Sequence, residues 1–95
     1  MSKSQYRTDL GIVSQILSIT MERGRNGMII SHIARAANLS HGATVEKCQK
    51  LIGFGLLEPI KNKDSQYYSI TEKGIQFLRE MQKFIDFVQE LKIRC

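Results

Sequence analysis

Apolar residues near the start of the chain recur at the spacing of one face of an α-helix. Thr8 and Asp9 stand immediately before this pattern and offer an amino-terminal cap. A polar, glycine-containing segment at 22–27 ends the pattern. The sequence therefore predicts a first helix whose apolar face packs into a core. That face consists of Ile12, Val13, Ile16, Leu17, Ile19 and Met21.

The middle of the chain predicts two helices joined by a tight turn. An apolar run at 28–30 fits a short strand, and Ser31 follows it as a cap for a second helix. That helix is rich in small residues, and the turn at 38–40 leads to a new cap at Ser40. Small side chains and a tight turn allow two helices to cross closely, so we predict a helix-turn-helix.

A third helix is predicted from about Ser40 to Phe54, and its two sides differ. The inward side follows the spacing i, i+4, i+7 and i+8, with Thr44, Cys48, Leu51 and Ile52. The opposite side is polar and lightly basic, with Ala43, Glu46, Lys47 and Lys50. Val45 fits either the core stripe or its margin.

A β-hairpin is predicted after this helix. Gly55 suits the left-handed backbone that commonly ends a helix. Strand chemistry follows at 56–60, where Pro59 favours the edge of a sheet. The segment at 61–66 contains no apolar residue and carries turn formers. Strand chemistry returns at 67–70, which completes the hairpin.

The rest of the chain predicts a long terminal helix with two apolar faces. Thr71 is a good cap, and Glu72 suits the positive end of a helix. One face can pack onto the preceding domain through Ile75, Leu78 and Ile85. The other face alternates at spacings of three and four, as a coiled-coil seam does, and predicts pairing with a second subunit. This dimer seam consists of Phe77, Met81, Phe84, Val88 and Leu91. The alternative is that both sets of residues form one wide apolar face, which packs into the core of the same chain.

Composition supports a small domain with a polyanionic partner. A chain of 95 residues makes one domain, and dimerisation would supplement its small core. The 14 Lys and Arg residues against nine Asp and Glu give a formal net charge of +5 and a pI near 9.5. The charge is spread along the chain, so any basic surface must come from folding.

Other classes of protein find little support in the sequence. Cys48 and Cys95 are too few for a disulfide framework and poorly spaced for zinc. Neither histidine has a catalytic partner at a useful spacing, and no phosphate-binding glycine loop, nucleophile elbow or paired carboxylates occur. The first ten residues lack the apolar core typical of a signal peptide, and no run of about 18 apolar residues occurs in the sequence. We therefore expect a cytoplasmic protein that is not an enzyme, uses no metal or cofactor and does not bind a membrane, and no small-molecule ligand is evident from the sequence.

Several short segments together are typical of a known protein family. They are Leu39-Ser40, Leu51-Ile52, Gly55-Leu56-Leu57, and Tyr68-Ser69-Ile70-Thr71-Glu72-Lys73-Gly74 leading into Phe77-Leu78. With these segments in this order, nearly the whole chain resembles the small archaeal winged helix-turn-helix DNA-binding proteins, which include ten-kilodalton chromatin proteins. The resemblance implies a mainly α fold with a small β-hairpin, a winged helix-turn-helix domain at 1–70 and a dimerisation helix at 71–95. It also implies a nucleoid-associated homodimer that binds double-stranded DNA through winged domains at either end of an antiparallel coiled coil, in an archaeon or an archaeal virus.

In such a fold the third helix enters the major groove, and the wing reaches the adjacent backbone or minor groove. Lys47 and Lys50 suit a phosphate or guanine, Glu46 suits cytosine, and Ala43 suits a thymine methyl. His41 suits a phosphate or a base edge, and the helix end at Ser31 offers amides to a phosphate. The complete set of expected DNA contacts is Ser31, Arg35, Ser40, His41, Ala43, Glu46, Lys47, Lys50, Lys61, Asn62, Lys63 and Gln66.

Two kinds of DNA-binding protein fit this pattern: a sequence-specific transcription regulator and an architectural chromatin factor. The light positive charge of the third helix favours the regulator. An alternative of another class is a winged-helix module that holds a protein partner through its wing or terminal helix and does not bind DNA.

Overall fold

A computed structural model of the protein describes residues 8–62 and 65–94. A 3₁₀ turn, Gly24–Asn26, connects the first helix to the first strand. The elements are α1 (Asp9–Arg23), β1 (Met28–Ile29), α2 (Ile30–Ala37), α3 (His41–Gly53), β2 (Leu57–Asn62), β3 (Ser65–Ile70) and α4 (Glu72–Arg94). This order confirms the mainly α fold with a small β-hairpin and a long last helix.

The three strands form one antiparallel sheet in the order β1-β3-β2. Tyr68 of the central strand pairs with Met28 on one side and with Pro59 on the other. Pro59 therefore lies on an edge strand, as predicted, where its missing N–H interrupts no further pairing. The hairpin is longer than predicted because Asn62 still pairs with Ser65.

The core lies between the helices and the inner face of the sheet. Tyr68 and Ile70 point into it from β3, with 1% and 8% of their surfaces exposed. Thr44, Cys48 and Leu51 are buried on the inward side of α3. The predicted inward side of α3 is thus confirmed.

Three predicted helix caps are present in the structure. The side-chain oxygens of Thr8, Ser40 and Thr71 each accept the N–H of the residue three positions ahead, at 2.9, 3.1 and 2.9 Å. The cap predicted at Ser31 is wrong. α2 begins one residue earlier, at Ile30, and Ile29 occupies the cap position without a side-chain hydrogen bond. Ile30 is buried, so core packing places the strand-to-helix junction there.

The end of α3 is tied to the start of α4 through the backbone around Gly55 and Leu56. Gly55 has a positive φ of 78°, as predicted for the residue that ends the helix. The Thr71 hydroxyl donates to the Gly55 carbonyl at 2.6 Å, and the Thr71 N–H donates to the Leu56 carbonyl at 3.1 Å. These bonds fix the direction in which α4 leaves the winged domain.

α4 is packed along its first half and open along its second. Phe77 is half-buried against the core, and Met81 is only 8% exposed. Phe84, Phe87 and Leu91, by contrast, are 60%, 58% and 50% exposed. The predicted dimer seam therefore needs correction at Phe77 and Met81, because the winged domain of the same chain, which packs on α4 through α1 among other elements, covers them.

Candidate nucleic-acid interface

A three-residue turn joins α2 to α3. Asn38 ends α2 with a left-handed backbone (φ 57°, ψ 51°), which Asn tolerates better than most residues. The Leu39 N–H donates to the Ala34 carbonyl at 2.9 Å, and Ser40 then caps α3. The Thr44 hydroxyl donates to the Ser40 carbonyl at 2.8 Å. These bonds hold α3 in place, and its buried side determines which side faces solvent.

The side of α3 opposite its buried stripe is open. Glu46, Gln49 and Lys50 are exposed there. A methyl group at Gly42 or Gly53 would meet no other atom within 4 Å. We call Gly42, Glu46, Gln49, Lys50 and Gly53 the open face of α3. Its polar side chains and its two bare backbone positions allow another molecule to approach closely.

Lys47 does not belong to the open face, contrary to the prediction. Its Nζ atom lies 2.8 Å from Oδ1 of Asp9, and its side chain is only 16% exposed. Residue 47 lies at the margin of the buried stripe, from which the long side chain reaches the first turn of α1. The hydrogen bond from Lys47 and its positive charge hold the pKa of Asp9 below its usual range, and Lys50 adds a smaller electrostatic contribution.

Gln49 is exposed on the open face but is not among the contacts predicted from the sequence. Residues 42, 46, 49 and 53 follow the spacing i, i+4, i+7 and i+11, which places them along one side of a helix. This periodicity was available from the sequence alone. Gln49 matters because a glutamine side chain can pair with adenine through both a donor and an acceptor.

The remaining predicted contacts on the helices surround the open face. Ser40 and His41 are exposed at the start of α3, and Ala43 is half-buried. Ser31 and Arg35 are exposed on α2, four residues apart and so on the same side of that helix.

The hairpin presents two of the predicted wing contacts. Lys61 and Gln66 are paired across the strands, and both are exposed. Lys63 and the side chain of Asn62 lie outside the described residues, so their predicted contacts stay predictions.

The described residues offer little other site chemistry. Cys48 is fully buried, and burial raises the pKa of its thiol to about 11, so it stays protonated near neutral pH. Within residues 8–62 and 65–94, no group of three His, Cys, Asp or Glu side chains is placed to hold a metal ion. None of the helices in that part of the chain has a stretch long and apolar enough to cross a membrane.

The model of one protein family, described as winged helix-turn-helix, matches residues 6–89. The chain belongs to the winged helix-turn-helix family. The wing and the helix-turn-helix of the structure are the parts that give this family its name. No curated protein sequence matches the chain.

Several solved structures share the fold. Sso10a-2, a DNA-binding protein from Sulfolobus solfataricus, is 22% identical with a TM-score of 0.77, over 93% of this chain and 88% of that one. The transcriptional regulator BldR from the same organism is 24% identical with a TM-score of 0.75, over 84% of this chain and 58% of that one. MepR, a transcription regulator from Staphylococcus aureus, is 13% identical with a TM-score of 0.75, over 87% of this chain and 62% of that one. The chain thus spans less than two thirds of BldR and MepR.

Proposed function

We propose that the protein is a homodimer that binds double-stranded DNA, as a transcription regulator or as an architectural chromatin factor. α3 enters the major groove, and the wing contacts the adjacent backbone or minor groove. The open face of α3 carries this proposal, because it is the exposed polar side of the second helix of a helix-turn-helix. Sso10a-2 is described as DNA-binding, and a variant of MepR has been solved bound to an oligodeoxyribonucleotide.

The proposal divides the exposed residues into base contacts and phosphate contacts. Glu46 and Gln49, at the centre of the open face, suit cytosine and adenine respectively, and Lys50 suits a phosphate or guanine. Ala43 offers its methyl group to a thymine. Ser31 and Arg35 suit phosphates, and Ser40 and His41 suit a phosphate or a base edge. The proposed wing contacts are Lys61, Asn62, Lys63 and Gln66.

The charges of the open face favour a regulator over an architectural factor. Glu46 offsets Lys50, so the centre of the face carries no net charge. Arg35 and Lys61 lie outside it, on α2 and the wing. A neutral centre with a basic rim suits base readout in the groove and phosphate contacts at its edges. A binder without sequence preference would gain more from a uniformly basic surface.

The open half of α4 supports the homodimer. Phe84, Phe87 and Leu91 are large, exposed and spaced three and four residues apart, so they lie on one side of the helix. Val88 is half-buried beside them. Contiguous apolar surface of this kind marks an association site. We infer that this corrected seam, Phe84, Phe87, Val88 and Leu91, pairs with its copy in a second subunit.

The first test is binding to a random-sequence duplex across a salt series, measured by fluorescence anisotropy, with sedimentation of the free protein. We expect a dimer whose DNA affinity falls steeply as salt rises. The double variant Lys50→Glu and Lys61→Glu should lose DNA binding and remain a dimer. The matched control is the double variant Arg23→Glu and Arg25→Glu, because both residues are exposed near the opposite end of β3 from the wing tip. Equal losses in both proteins would contradict the proposed surface.

A protein-interaction module is the second candidate, and one observation favours it. Phe54 is 66% exposed at the end of α3, in addition to the apolar seam of α4. If random and selected duplexes both fail to bind at low salt, this candidate replaces the DNA-binding proposal. Neither candidate assigns a catalytic activity to the chain.

A further inference from the structure

A groove of about 620 Å³ lies between the start of α1, the end of α3 and the start of α4. Its apolar surface comes from side chains of all three helices, including Leu10, Phe54 and Phe77. Leu10 and Phe54 are 49% and 66% exposed, so nothing in the described part of the chain covers the mouth of the groove. Pockets for small molecules commonly have volumes of about 300–1,000 Å³ and mostly apolar walls. The groove therefore has the size and the lining of such a pocket.

Three lysines converge on this apolar surface. Lys47 and Lys50 reach it from α3, and Lys73 reaches it from the first turn of α4. Lys47 is paired with Asp9, the one acidic residue among the described residues that line the groove. Lys50 and Lys73 are exposed and form no ion pair with any described residue. The groove thus carries two positive charges that are not neutralised by ion pairs within it.

The Lys73 side chain lies close to the backbone at Gly55. A methyl group on Gly55 would lie 3.7 Å from its Nζ atom. Gly55 has no side chain and so leaves room for this ammonium group, and Phe54 and Lys73 both line the groove. Lys50 approaches from α3. Lys50 and Lys73 line the same groove from different helices, so the space between them is where an anion would gain most from their charges.

We propose that this groove binds a small amphipathic monocarboxylate, with its hydrocarbon body on the apolar walls and its carboxylate between Lys50 and Lys73. The walls contribute by removing apolar surface from water. The lysines contribute charge-assisted hydrogen bonds to the carboxylate. A neutral ligand would gain only the first contribution, and a cationic ligand would be repelled.

A second copy of α4 fits the groove less well. Residues 71–95 carry five basic and four acidic residues, which include Lys92 and Arg94 near the end of the helix. The segment as a whole carries a net charge of +1, so it does not offer the negative charge that two unpaired lysines would attract. The open seam of α4 also begins at Phe84, beyond the part of α4 that lines this groove.

Ligand binding would act on DNA binding through Lys50, and this step rests on the proposed function. Lys50 lines the groove and also belongs to the open face of α3. A carboxylate that holds the Lys50 ammonium group in the groove withdraws it from a phosphate or guanine. The ligand therefore weakens DNA binding, and DNA weakens ligand binding by the same factor.

The test of the ligand site uses decanoate, decan-1-ol and decylamine as matched probes, without DNA. Binding is followed by calorimetry and by methyl resonances of the labelled protein. Val13 and Leu56 report on the proposed groove, whereas Ile85 and Val88 report on a smaller depression between α1 and α4. We expect saturable decanoate shifts at Val13 and Leu56, with affinity about tenfold or more above that of decan-1-ol.

Variants identify the role of the lysines. Lys73→Gln and Lys50→Gln should each weaken decanoate binding several-fold, whereas Arg25→Gln, at an exposed site far from the groove, should not. Equal binding of the three probes, shifts confined to Ile85 and Val88, or unchanged affinity in both lysine variants would overturn the site. Thermal melts of each variant verify that the fold is intact.

A second arm tests the coupling to DNA. Decanoate should reduce duplex affinity of the unmodified protein, and Lys73→Gln should keep its DNA affinity while losing this response. Decanoate that leaves duplex affinity unchanged overturns the coupling. Failure of the protein to bind any duplex would count against the proposed function alone, because the ligand site is measured without DNA.

Discussion

The Nζ atom of Lys47 lies 2.8 Å from the Oδ1 atom of Asp9, which joins the middle of α3 to the first turn of α1. The two partners differ in environment, since the Lys47 side chain is 16% exposed and the Asp9 side chain 79%. Ion pairs with an exposed partner add little to stability. The pair matters more because it holds a lysine of the third helix away from the open face.

The Lys47–Asp9 pair predicts a pH dependence of stability. Lys47 lowers the pKa of Asp9 from its ordinary value of 3.8, so the folded state favours the carboxylate. The stabilisation is fully present above pH 3.8 and is lost as the pH falls toward the lowered pKa. Asp9→Asn should therefore be less stable than the unmodified protein at pH 7, and the gap should close below pH 3.8. Urea unfolding of both proteins at pH 7 and at a pH below 3.8 measures the difference in unfolding free energy. A gap that stays constant with pH would show that the charge of Asp9 is not its cause.

Lys50 and Lys47 should differ in their effect on DNA binding, although both lie on α3. Lys50→Ala should weaken binding to every duplex and reduce the slope of log affinity against log salt by about one, because one phosphate contact is lost. Lys47→Ala should leave that slope unchanged and slightly lower the unfolding free energy. Anisotropy titrations between low and moderate salt measure both slopes. The reverse order of effects would return Lys47 to the DNA surface.

Gln49 should affect sequence preference more than overall affinity. Gln49→Ala removes a side chain from the centre of the open face without disturbing any buried residue. We expect a loss of about 1–3 kcal/mol in discrimination at one base pair, with unchanged affinity for random duplex. Selection of preferred sites by both proteins, followed by competition titrations, measures the difference. Identical site preferences in the two proteins would remove Gln49 from base readout.

Local signals in the sequence predicted much of the fold. The caps at Thr8, Ser40 and Thr71 and the left-handed Gly55 each depend on a few neighbouring residues, and all four are present. The predictions that were wrong depend on contacts between distant parts of the chain. Met81 is buried because the winged domain packs on α4. The spacing of apolar residues within α4 does not show which of them the winged domain covers.

The direction of Lys47 could not be predicted for the same reason. Its partner, Asp9, is 38 residues away in the chain. The prediction for Ser31 was wrong for a different reason, because serine is a favoured residue type for a helix cap. The buried side chain of Ile30 starts the helix earlier, so tertiary packing overrode the local preference.

Substitution of alanine for two helical glycines, Gly74 and Gly42, should change the unfolding free energy in opposite directions. A Cβ on Gly74 would collide with the carbonyl oxygen of Leu56 and lie 2.7 Å from Cγ1 of Ile70. Gly74→Ala should therefore lower the unfolding free energy by about 2–3 kcal/mol, because the start of α4 must move. Gly42 has open space around it, so Gly42→Ala should raise the unfolding free energy by about 0.5–1 kcal/mol. Urea denaturation of both variants gives the comparison. Stabilisation by both would mean that α4 does not pack closely on Leu56.

The hydroxyl of Tyr68 is the buried polar group without a hydrogen-bond partner in the described part of the chain. Tyr68 is 1% exposed, and burial raises the pKa of its phenol, with a smaller contribution from Cys48. A buried hydroxyl with no partner loses its hydrogen bonds to water, which costs about 1–3 kcal/mol. Tyr68→Phe keeps the ring in the core and removes that group, so it should raise the unfolding free energy by about 1 kcal/mol.

Tyr67, the neighbour of Tyr68 on β3, provides the control for this prediction, because the side chain of Tyr67 is only half-buried. Tyr67→Phe should change the unfolding free energy by less than about 0.5 kcal/mol, as surface substitutions usually do. Urea denaturation at neutral pH compares the two variants with the unmodified protein. If Tyr68→Phe is destabilised by 1 kcal/mol or so, the hydroxyl has a partner in solution, such as an ordered water in the core. A higher unfolding free energy of Tyr68→Phe would instead show that this hydroxyl destabilises the folded protein.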